Sequence, residues 1–218
     1  DGDIFYNAIQ YLYQFIGENT KVLDCGCGWG GRGKVLKRDI NCEVTGITNS
    51  PVQYDYIKNN ISMNVNLIDL CNYIPKDKFD VAIFVESYCH LSNAGKVLYN
   101  ISESTDKIIF REYHLKSNQY PKSYVDRWFM NIYRKEELVL LMEQLDFKLT
   151  HQEEHYDYEL EPTLDLWYTN ISKLTREEKT KHIRTLEAST RFLRNHIDEA
   201  LETVGLSTFV FELSLIHI

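Results

Sequence analysis

The stretch Lys21-Val-Leu-Asp-Cys-Gly-Cys-Gly-Trp-Gly-Gly-Arg-Gly33 decides the fold of this chain. An apolar strand start at Val22 and Leu23 runs into Asp24, and glycines then dominate the turn before a helical run begins. Glycine lets the backbone adopt left-handed angles and approach a ligand closely, and the first amides of the helix are unpaired donors for a polar or anionic group. A strand, a glycine turn and a helix in this order predict one half of a nucleotide-type crevice.

The glycine turn alone leaves the ligand open. Gly28, Gly30 and Gly33 fit the dinucleotide fingerprint Gly-x-Gly-x-x-Gly loosely. A dinucleotide-dependent dehydrogenase, however, would carry an acidic residue about 20 residues further on, at the end of the second strand. This chain has Thr48 and Asn49 there, and a titration with NAD checks the alternative. A phosphate-binding loop is disfavoured because no Gly-Lys-Ser/Thr follows.

The position of Asp24, two residues before the first glycine, gives the loop a family resemblance. The segment Val-Leu-Asp-x-Gly-Cys-Gly-x-Gly resembles the S-adenosylmethionine (SAM) loop of class I methyltransferases. The longer string from Val22 to Gly31 is similar to the cyclopropane-fatty-acid-synthase and small-molecule C-methyltransferase branch. The resemblance implies a doubly wound, Rossmann-like α/β fold. Its sheet would be seven-stranded and mostly parallel, in the order 3-2-1-4-5-7-6, with the last strand antiparallel and a partly helical cap.

The hydrophobic periodicity independently predicts alternating strands and helices, and hence a parallel, doubly wound sheet. We expect irregular, aromatic segments at 113–133 and 156–170. The predicted strands are 21–25, 42–48, 65–69, 79–85, 107–110, 146–153 and 208–212, and the predicted helices are 4–16, a run from the glycine loop to about 37, 51–60, 93–101, 134–145 and 175–203.

The length and the two ends of the chain predict its organisation. A chain of 218 residues with 44% hydrophobic residues is long enough for one sizeable core. We expect a single methyltransferase domain over 1–218, with a SAM-binding core at about 17–115 and acceptor-site cap elements at about 113–133 and 154–204. The chain begins at Asp1 rather than Met, and residues 213–218 resemble the translation of a sequencing adaptor. We therefore expect a fragment with an artefactual tail.

Charge and cysteine content exclude several classes of partner. The formal net charge is −8 and no Lys/Arg cluster is present, which argues against a nucleic-acid substrate. No apolar run reaches the roughly 18 residues of a membrane span. The five cysteines are odd in number and suit reduced thiols in the cytoplasm. Cys25-x-Cys27 lacks a second pair, and His151 and His155 lie far apart if they share a strand, so no metal site is predicted.

Polar residues follow the second and third strands, where ligands bind in such sheets. The segment from Gly46 to Gln53 resembles the Gly-Ile/Val-Thr-Leu-Ser-x-x-Gln pattern of cyclopropane-synthase and tocopherol-methyltransferase relatives, which implies ribose contacts by Thr48, Asn49 and Gln53. Helix capping by Ser50 is expected in either case, and capping without a ligand role is the alternative. Asp69 and Leu70 match the family's adenine position, with a loop cap as the alternative. The implied cofactor-binding set is Asp24, Gly26, Cys27, Gly28, Thr48, Asn49, Gln53, Asp69, Leu70, Val85 and Glu86.

The fourth strand ends in Glu86-Ser-Tyr-Cys-His90, which resembles the Glu-Ser-x-x-His stretch of tocopherol methyltransferases and the Glu-Ser stretch of geranyl-diphosphate C-methyltransferase. The resemblance implies catalytic roles for Glu86, Tyr88 and His90. If the acceptor is a carbon–carbon double bond, a carboxylate can stabilise the resulting carbocation and a base can remove a proton. If it is an amine or a hydroxyl, Glu86 or His90 can take its proton. A satisfied loop residue is the alternative for His90.

The fifth strand is followed by Arg111-Glu-Tyr-His114, four polar residues that are costly to bury unless they face a ligand. The fork of Arg111 suits a carboxylate or phosphate on the acceptor, and an Arg111–Glu112 surface pair is the alternative. Aromatic residues in the two irregular segments are expected to cap the acceptor pocket. The predicted substrate-binding set is Arg111, Glu112, Tyr113, Trp128, Tyr133 and Trp167.

These observations predict a SAM-dependent methyltransferase that acts on a small molecule and releases S-adenosylhomocysteine. C-methylation of an isoprenoid- or lipid-like acceptor is the first hypothesis for the reaction. N- or O-methylation of a small polar metabolite is the alternative, and a non-catalytic SAM-binding protein is a second class. The sequence leaves the oligomeric state open, a homodimer included.

Overall fold

The computed structural model describes residues 4–117 and 130–214, in which strands and helices alternate as expected. The first part of the chain forms α1 (Ile4–Ile16), β1 (Lys21–Cys25), α2 (Gly31–Ile40), β2 (Glu43–Thr48), α3 (Pro51–Asn60), β3 (Asn64–Leu67), β4 (Val81–Val85), α4 (Ala94–Ser102) and β5 (Lys107–Leu115). The second part forms β6 (Tyr133–Arg134), α5 (Lys135–Glu143), β7 (Phe147–Glu154), α6 (Tyr156–Ser172), α7 (Lys181–Asn195), α8 (Ile197–Thr203) and β8 (Val204–Leu213).

The strands form one sheet in the order β3-β2-β1-β4-β5-β8-β7, and the two-residue β6 pairs with the end of β5. Strands β1 to β5 pair in parallel, whereas β8 is antiparallel to both β5 and β7. When β6 is left out of the numbering, this is the predicted order 3-2-1-4-5-7-6. The predicted fold is confirmed.

Apolar layers cover both faces of this sheet, which explains why every residue of β4 is buried. On one face, Phe84 and Phe110 stack with their ring centroids 5.1 Å apart, under α4 and α5. On the other face, Ile9 and Leu12 of α1 pack on Ile83 and its neighbours. The central strands are therefore fixed from both sides, and their carboxyl ends are held in constant relative positions.

Helices α6, α7 and α8 form the predicted partly helical cap. Leu160 and Leu164 of α6, Leu193 of α7 and Ala200 of α8 are buried in one apolar cluster against Leu206 of β8. This cluster, here called the cap core, also takes in Met130, Ile132 and Cys89. The cap thus packs over the end of the sheet at which β5 terminates.

Three segments differ from the sequence-based expectation. Strand β5 continues to Leu115 because β8 pairs with all nine of its residues. Residues 156–170 were expected to be irregular but lie in helix α6, which contains Pro162 and buries Leu160 and Leu164 one turn apart. The single helix expected at 175–203 is two helices, since Thr180 caps the start of α7 and the helix is interrupted at His196, between α7 and α8.

One residue of the expected tail belongs to the sheet, and the next is bonded beside it. Leu213 is the last residue of β8 and pairs with Phe147, and the Ser214 amide donates a 2.7 Å hydrogen bond to the Asp146 carbonyl. Residues 215–218 lie outside the described residues. In 4–117 and 130–214, none of the helices combines the length and apolar character that a membrane span requires.

Candidate active site

The glycine turn after β1 is shaped by close backbone packing. Gly26 has a φ of +92°, and a Cβ at this position would lie 2.6 Å from the Cβ of Ser87. Gly28 has a φ of +55° and opens onto free space, because a Cβ there would meet nothing within 4 Å. The amides of Gly26 and Cys27 both donate to the Ile47 carbonyl of β2, at 3.2 and 2.9 Å. The turn is thereby tied to the neighbouring strand and leaves room for a ligand at Gly28.

A cavity of about 320 Å³ lies at the carboxyl ends of β1 to β4. Its volume falls at the lower end of the range of about 300–1,000 Å³ for small-molecule sites. Eight of the eleven residues predicted to bind the cofactor line it, together with His90: Gly26, Gly28, Thr48, Asn49, Gln53, Asp69, Leu70 and Glu86. Sequence reasoning missed Ile47, Ile68, Cys71, Ser87, Leu91 and Ser92, which complete the lining. Their positions beside the motif residues were the available signal.

The turn after β2 is organised by its own side chains. The Thr48 hydroxyl donates to Oε1 of Gln53 at 2.7 Å and accepts from the Ser50 amide at 3.2 Å. Ser50 caps α3 by accepting from the Gln53 amide at 3.4 Å, so the predicted helix cap is present. Helix capping and cavity lining occur together here, because the bonds from Thr48 and Ser50 hold Gln53 at the cavity.

The turn after β3 is organised in the same way. Oδ1 of Asp69 accepts from the Cys71 amide at 2.8 Å and caps a single 3₁₀ turn, Leu70–Asn72. The loop cap that sequence reasoning proposed as the alternative is therefore present. Because Asp69 also lines the cavity, the cap fixes its carboxylate at the cavity wall.

Asp24 lies behind the cavity, fully buried, beside Arg32 of α2. Arg32 Nη2 is 3.4 Å from Asp24 Oδ1 and donates to the Gly26 carbonyl at 2.6 Å. Burial raises the pKa of Asp24, and the Arg32 guanidinium opposes that rise. Asp24 Oδ2 has no hydrogen-bond partner among the described residues. Sequence reasoning missed Arg32, although a buried aspartate requires a cation and Arg32 is the first basic residue after it.

Cys27 and Val85, the other two predicted cofactor residues that do not line the cavity, are also buried. Cys27 packs with Ile57 and Val65 in a small cluster under α3. Burial, followed by the nearby Asp24, raises the pKa of the Cys27 thiol to about 12, so this thiol stays protonated at neutral pH. The structure therefore assigns both residues to the packing that supports the cavity wall.

Glu86 lies at the end of β4 in an unusual backbone conformation. Its φ is +51°, in the left-handed region that costs a residue other than glycine about 1–3 kcal/mol. The side chain lines the cavity and is 43% exposed. Its carboxylate accepts from Arg111 Nη1 at 3.1 Å and from the Tyr113 hydroxyl at 3.1 Å. The predicted catalytic residue thus lies at the cavity with its carboxylate held by two residues of β5.

Arg111 and Glu112 are both buried, so the surface pair considered from the sequence is wrong. Arg111 binds two carboxylates: Glu86, and through Nη2 Glu159 of α6. Sequence reasoning missed Glu159, which lies in the segment expected to be irregular. No sequence signal pointed to it.

Glu112 supports the turn that carries the catalytic candidates. Its Oε1 accepts from the amides of Ser87 and Tyr88, the latter at 2.6 Å. Burial raises its pKa to about 7, against the opposing effect of the two amides. Its Oε2 has no partner among the described residues. The structure therefore places this predicted substrate residue behind the turn, where it supports Ser87 but does not itself line the cavity.

The remaining predicted residues fall in three places. Tyr88 is buried among Phe110 and Tyr133, with ring centroids 5.3 and 5.1 Å away, and burial raises its pKa far above the usual range. The structure does not bring Tyr88 or Tyr133 to the cavity lining. Tyr113 and Trp167 pack on the cap core. Trp128 lies outside the described residues. Within 4–117 and 130–214, no cluster of His, Cys, Asp and Glu is arranged to hold a metal ion.

The part of the chain that forms the cavity is similar in sequence to known proteins. Residues 22–107 match the family described as a methyltransferase domain. Over an alignment 111 positions long, the chain is 33% identical to (S)-coclaurine N-methyltransferase of Papaver somniferum, and the alignment covers 45% of this chain and 30% of that protein. A segment of 73 residues is 33% identical to sterol 24-C-methyltransferase of Candida albicans and covers 34% of this chain and 19% of that protein.

The fold comparison extends over nearly the whole chain. The structure superposes on a cyclopropane synthase from Mycobacterium tuberculosis with a TM-score of 0.74 at 14% identity, covering 94% of this chain and 83% of that one. By contrast, the alignments to the two curated enzymes span less than a third of those proteins. The predicted resemblance to class I SAM-dependent methyltransferases is confirmed.

Proposed function

We propose that this chain is a SAM-dependent methyltransferase of small molecules, folded as the single domain expected from the sequence. The observation that carries the proposal is the cavity at the ends of β1 to β4. Eight of its lining residues are ones that the resemblance assigns to cofactor binding from the sequence alone. Four separate turns contribute them, and a chance agreement at four strand ends is improbable.

The residues at the cavity fit the chemical groups of SAM. The open backbone at Gly28 and the carbonyl of Gly26 suit its amino-acid part, and Thr48 and Gln53 suit the ribose hydroxyls. Asp69 uses Oδ1 for its own turn, so Oδ2 can accept from the adenine amine. When bound, SAM supplies an electrophilic methyl group on a positively charged sulfur. The residues of the chain mainly supply orientation and charge.

Two cavity residues are suited to act on the acceptor. Glu86 presents a carboxylate held by Arg111 and Tyr113, which can stabilise developing positive charge or hold an ammonium. His90 is exposed and lines the same cavity, where its imidazole can take a proton from the acceptor. The cap core places apolar surface over the end of β5, which favours an acceptor with an apolar part.

Two acceptor classes agree with this arrangement. An alkene carbon of an isoprenoid- or lipid-like molecule becomes cationic on methylation, and the match to a sterol C-methyltransferase supports this class. An amine nitrogen also becomes cationic, and the match to an alkaloid N-methyltransferase supports that class. We retain C-methylation as the first proposal and N- or O-methylation as the second. A cytoplasmic location stays a prediction.

Transfer of a radiolabelled methyl group tests the proposal. The purified chain is incubated with labelled SAM and panels of prenyl, lipid, amine and phenol acceptors, and the label is followed into product. Transfer to one class, with release of S-adenosylhomocysteine (SAH), is the expected result. Binding of SAM without transfer to any panel would favour the non-catalytic SAM-binding protein. Absence of SAM binding by the folded chain would contradict both the methyltransferase and the non-catalytic SAM-binding protein.

A further inference from the structure

Three charged side chains from different elements meet behind the cavity. Arg111 of β5 bridges Glu86, which lines the cavity, and Glu159 of α6. The Arg111 side chain is only 4% exposed, and the Glu159 side chain is 19% exposed. Two of the guanidinium nitrogens are therefore occupied by protein carboxylates, and the pair of Arg111 and Glu159 lies in a largely dry environment, where charges interact strongly.

The charge balance of this trio follows from its composition. One guanidinium and two carboxylates carry a net charge of −1 when all three are ionised. His155 lies 4.0 Å from Glu159, but burial and then the Arg111 charge lower its pKa, so His155 is neutral at pH 7 and leaves the charge of Glu159 uncancelled. The neighbouring pair of Asp24 and Arg32 is neutral as a pair. The net negative charge of the trio therefore depends on Glu159.

Loss of the Glu159 carboxylate would change the charge that Arg111 and Glu86 present to the cavity. Arg111 would then form a simple ion pair with Glu86, and the pair would present no net charge to the cavity. An ion pair with no net charge stabilises a nearby cation weakly, whereas a group with a net negative charge stabilises it strongly. Glu159 thus offsets the cost of using a cation to fix the Glu86 carboxylate.

We propose that Arg111 and Glu159 are positioning residues: Arg111 fixes the Glu86 carboxylate, and Glu159 offsets the Arg111 charge so that the cavity stays negative toward the sulfonium of SAM. This inference rests on the proposed function. It replaces the expected role of Arg111 as an acceptor ligand. It also gives the cap a part in cofactor selectivity, because α6 carries Glu159 next to Leu160 of the cap core.

The test compares the affinities of two ligands that differ by one methyl group and one positive charge. SAM and SAH are titrated calorimetrically into the wild-type chain and into Glu159→Gln, which keeps the size of the side chain and removes its charge. We expect the SAM affinity of the variant to fall about three- to tenfold, the range for a partly screened charge, with SAH affinity within about twofold. A structural defect alone would weaken both ligands equally.

Two further variants complete the design. Asp165→Asn changes an exposed acid on the same helix, paired with Arg194 at 3.0 Å, and should leave both affinities unchanged. In Arg111→Met/Glu159→Gln the lone Glu86 restores the net charge of −1, and replacing both members of a buried ion pair by neutral side chains leaves no unpaired buried charge. We expect the ratio of SAM to SAH affinity to return to within about twofold of wild type.

The outcomes separate this inference from the proposed function. If the wild-type chain binds both ligands but Glu159→Gln weakens them equally or not at all, the charge role is overturned and the proposed function stands. A double variant whose affinity ratio stays as low as that of Glu159→Gln also overturns it. If the folded wild-type chain binds neither ligand, the proposed function fails and this inference fails with it.

Discussion

The site at the carboxyl ends of the strands has two halves, whose polar side chains are held in different ways. In the cofactor half, formed by β1 to β3 and the turns that follow them, polar side chains are fixed by near neighbours in the sequence, as Ser50 and Thr48 fix Gln53. In the cap half, formed by the end of β5 with α6 to α8, they are fixed by distant residues, as Glu159 fixes Arg111 from 48 positions away. Local fixing can be predicted from a motif, whereas distant fixing depends on the whole fold.

The largest expected effect lies in the cofactor half. Gly26→Ala should reduce SAM affinity by more than about 100-fold, because the added Cβ meets Ser87 and the positive φ strains any other residue. Calorimetric titration with SAM measures this. Gly95→Ala is the matched control, since a Cβ there meets nothing within 4 Å, and it should bind as wild type does.

A second variant separates lost binding from a damaged fold. Gly28→Ala places its Cβ in open space at the cavity, so its stability should fall only by the cost of a left-handed φ, about 1–2 kcal/mol, while the added methyl group weakens SAM binding. If Gly28→Ala and Gly26→Ala both bind SAM like wild type, the glycine turn is not the cofactor site.

The next expected effect is a pH dependence of the free energy of unfolding that arises from Glu112, at the β5 end of the cap half. The pKa of Glu112, raised to about 7, lies above its ordinary value of 4.5, so the folded chain holds this proton more tightly than the unfolded chain. The associated stability is complete below about pH 4.5 and is lost as pH rises through about 7, for a total of about 3 kcal/mol.

Denaturant unfolding of wild type and Glu112→Gln at several pH values measures this term. The free energy of unfolding of wild type relative to the variant should decrease across that window. Glu43→Gln, at an exposed position, should show no such trend. A pH-independent difference between wild type and Glu112→Gln would show that Glu112 ionises normally in the folded chain.

Removal of Arg111 should destabilise the cap half directly. Arg111→Ala leaves Glu86 and Glu159 without their shared cation, at a cost of about 2 kcal/mol, less than for a fully buried pair because Glu86 is partly exposed. Urea unfolding measures the change. Arg194→Ala, which removes an exposed partner of Asp165, should cost under about 0.5 kcal/mol. Equal costs for the two variants would mean that the trio contributes no more than a surface pair.

The smallest expected effect links the two halves at Glu86. Glu86→Gln should reduce turnover about tenfold with SAH affinity unchanged, because the variant loses the carboxylate charge that assists methyl transfer and SAH carries no sulfonium for that charge to act on. Steady-state kinetics with the acceptor from the screen give the value. Glu103→Gln, exposed after α4, is the control. A normal turnover number for Glu86→Gln would remove Glu86 from the catalytic set.

The sequence predicted the sheet order and the cavity because each strand end carries its own short motif. It could not predict that β5 continues past Phe110, since that extension depends on β8 pairing with Arg111 to Leu115 from the far end of the chain. Helix α6 was missed because Pro162 and the aromatic residues obscure the spacing of Leu160 and Leu164. With α6 missed, Glu159 could not be recognised as the partner of Arg111.

The central claim is that the cavity between the glycine turn, Gln53, Asp69 and Glu86 binds SAM. Calorimetric titration of the purified wild-type chain with SAM tests it most directly. We predict saturable one-to-one binding at micromolar concentration that SAH displaces by competition. A cooperatively melting sample that takes up neither SAM nor SAH would contradict the claim.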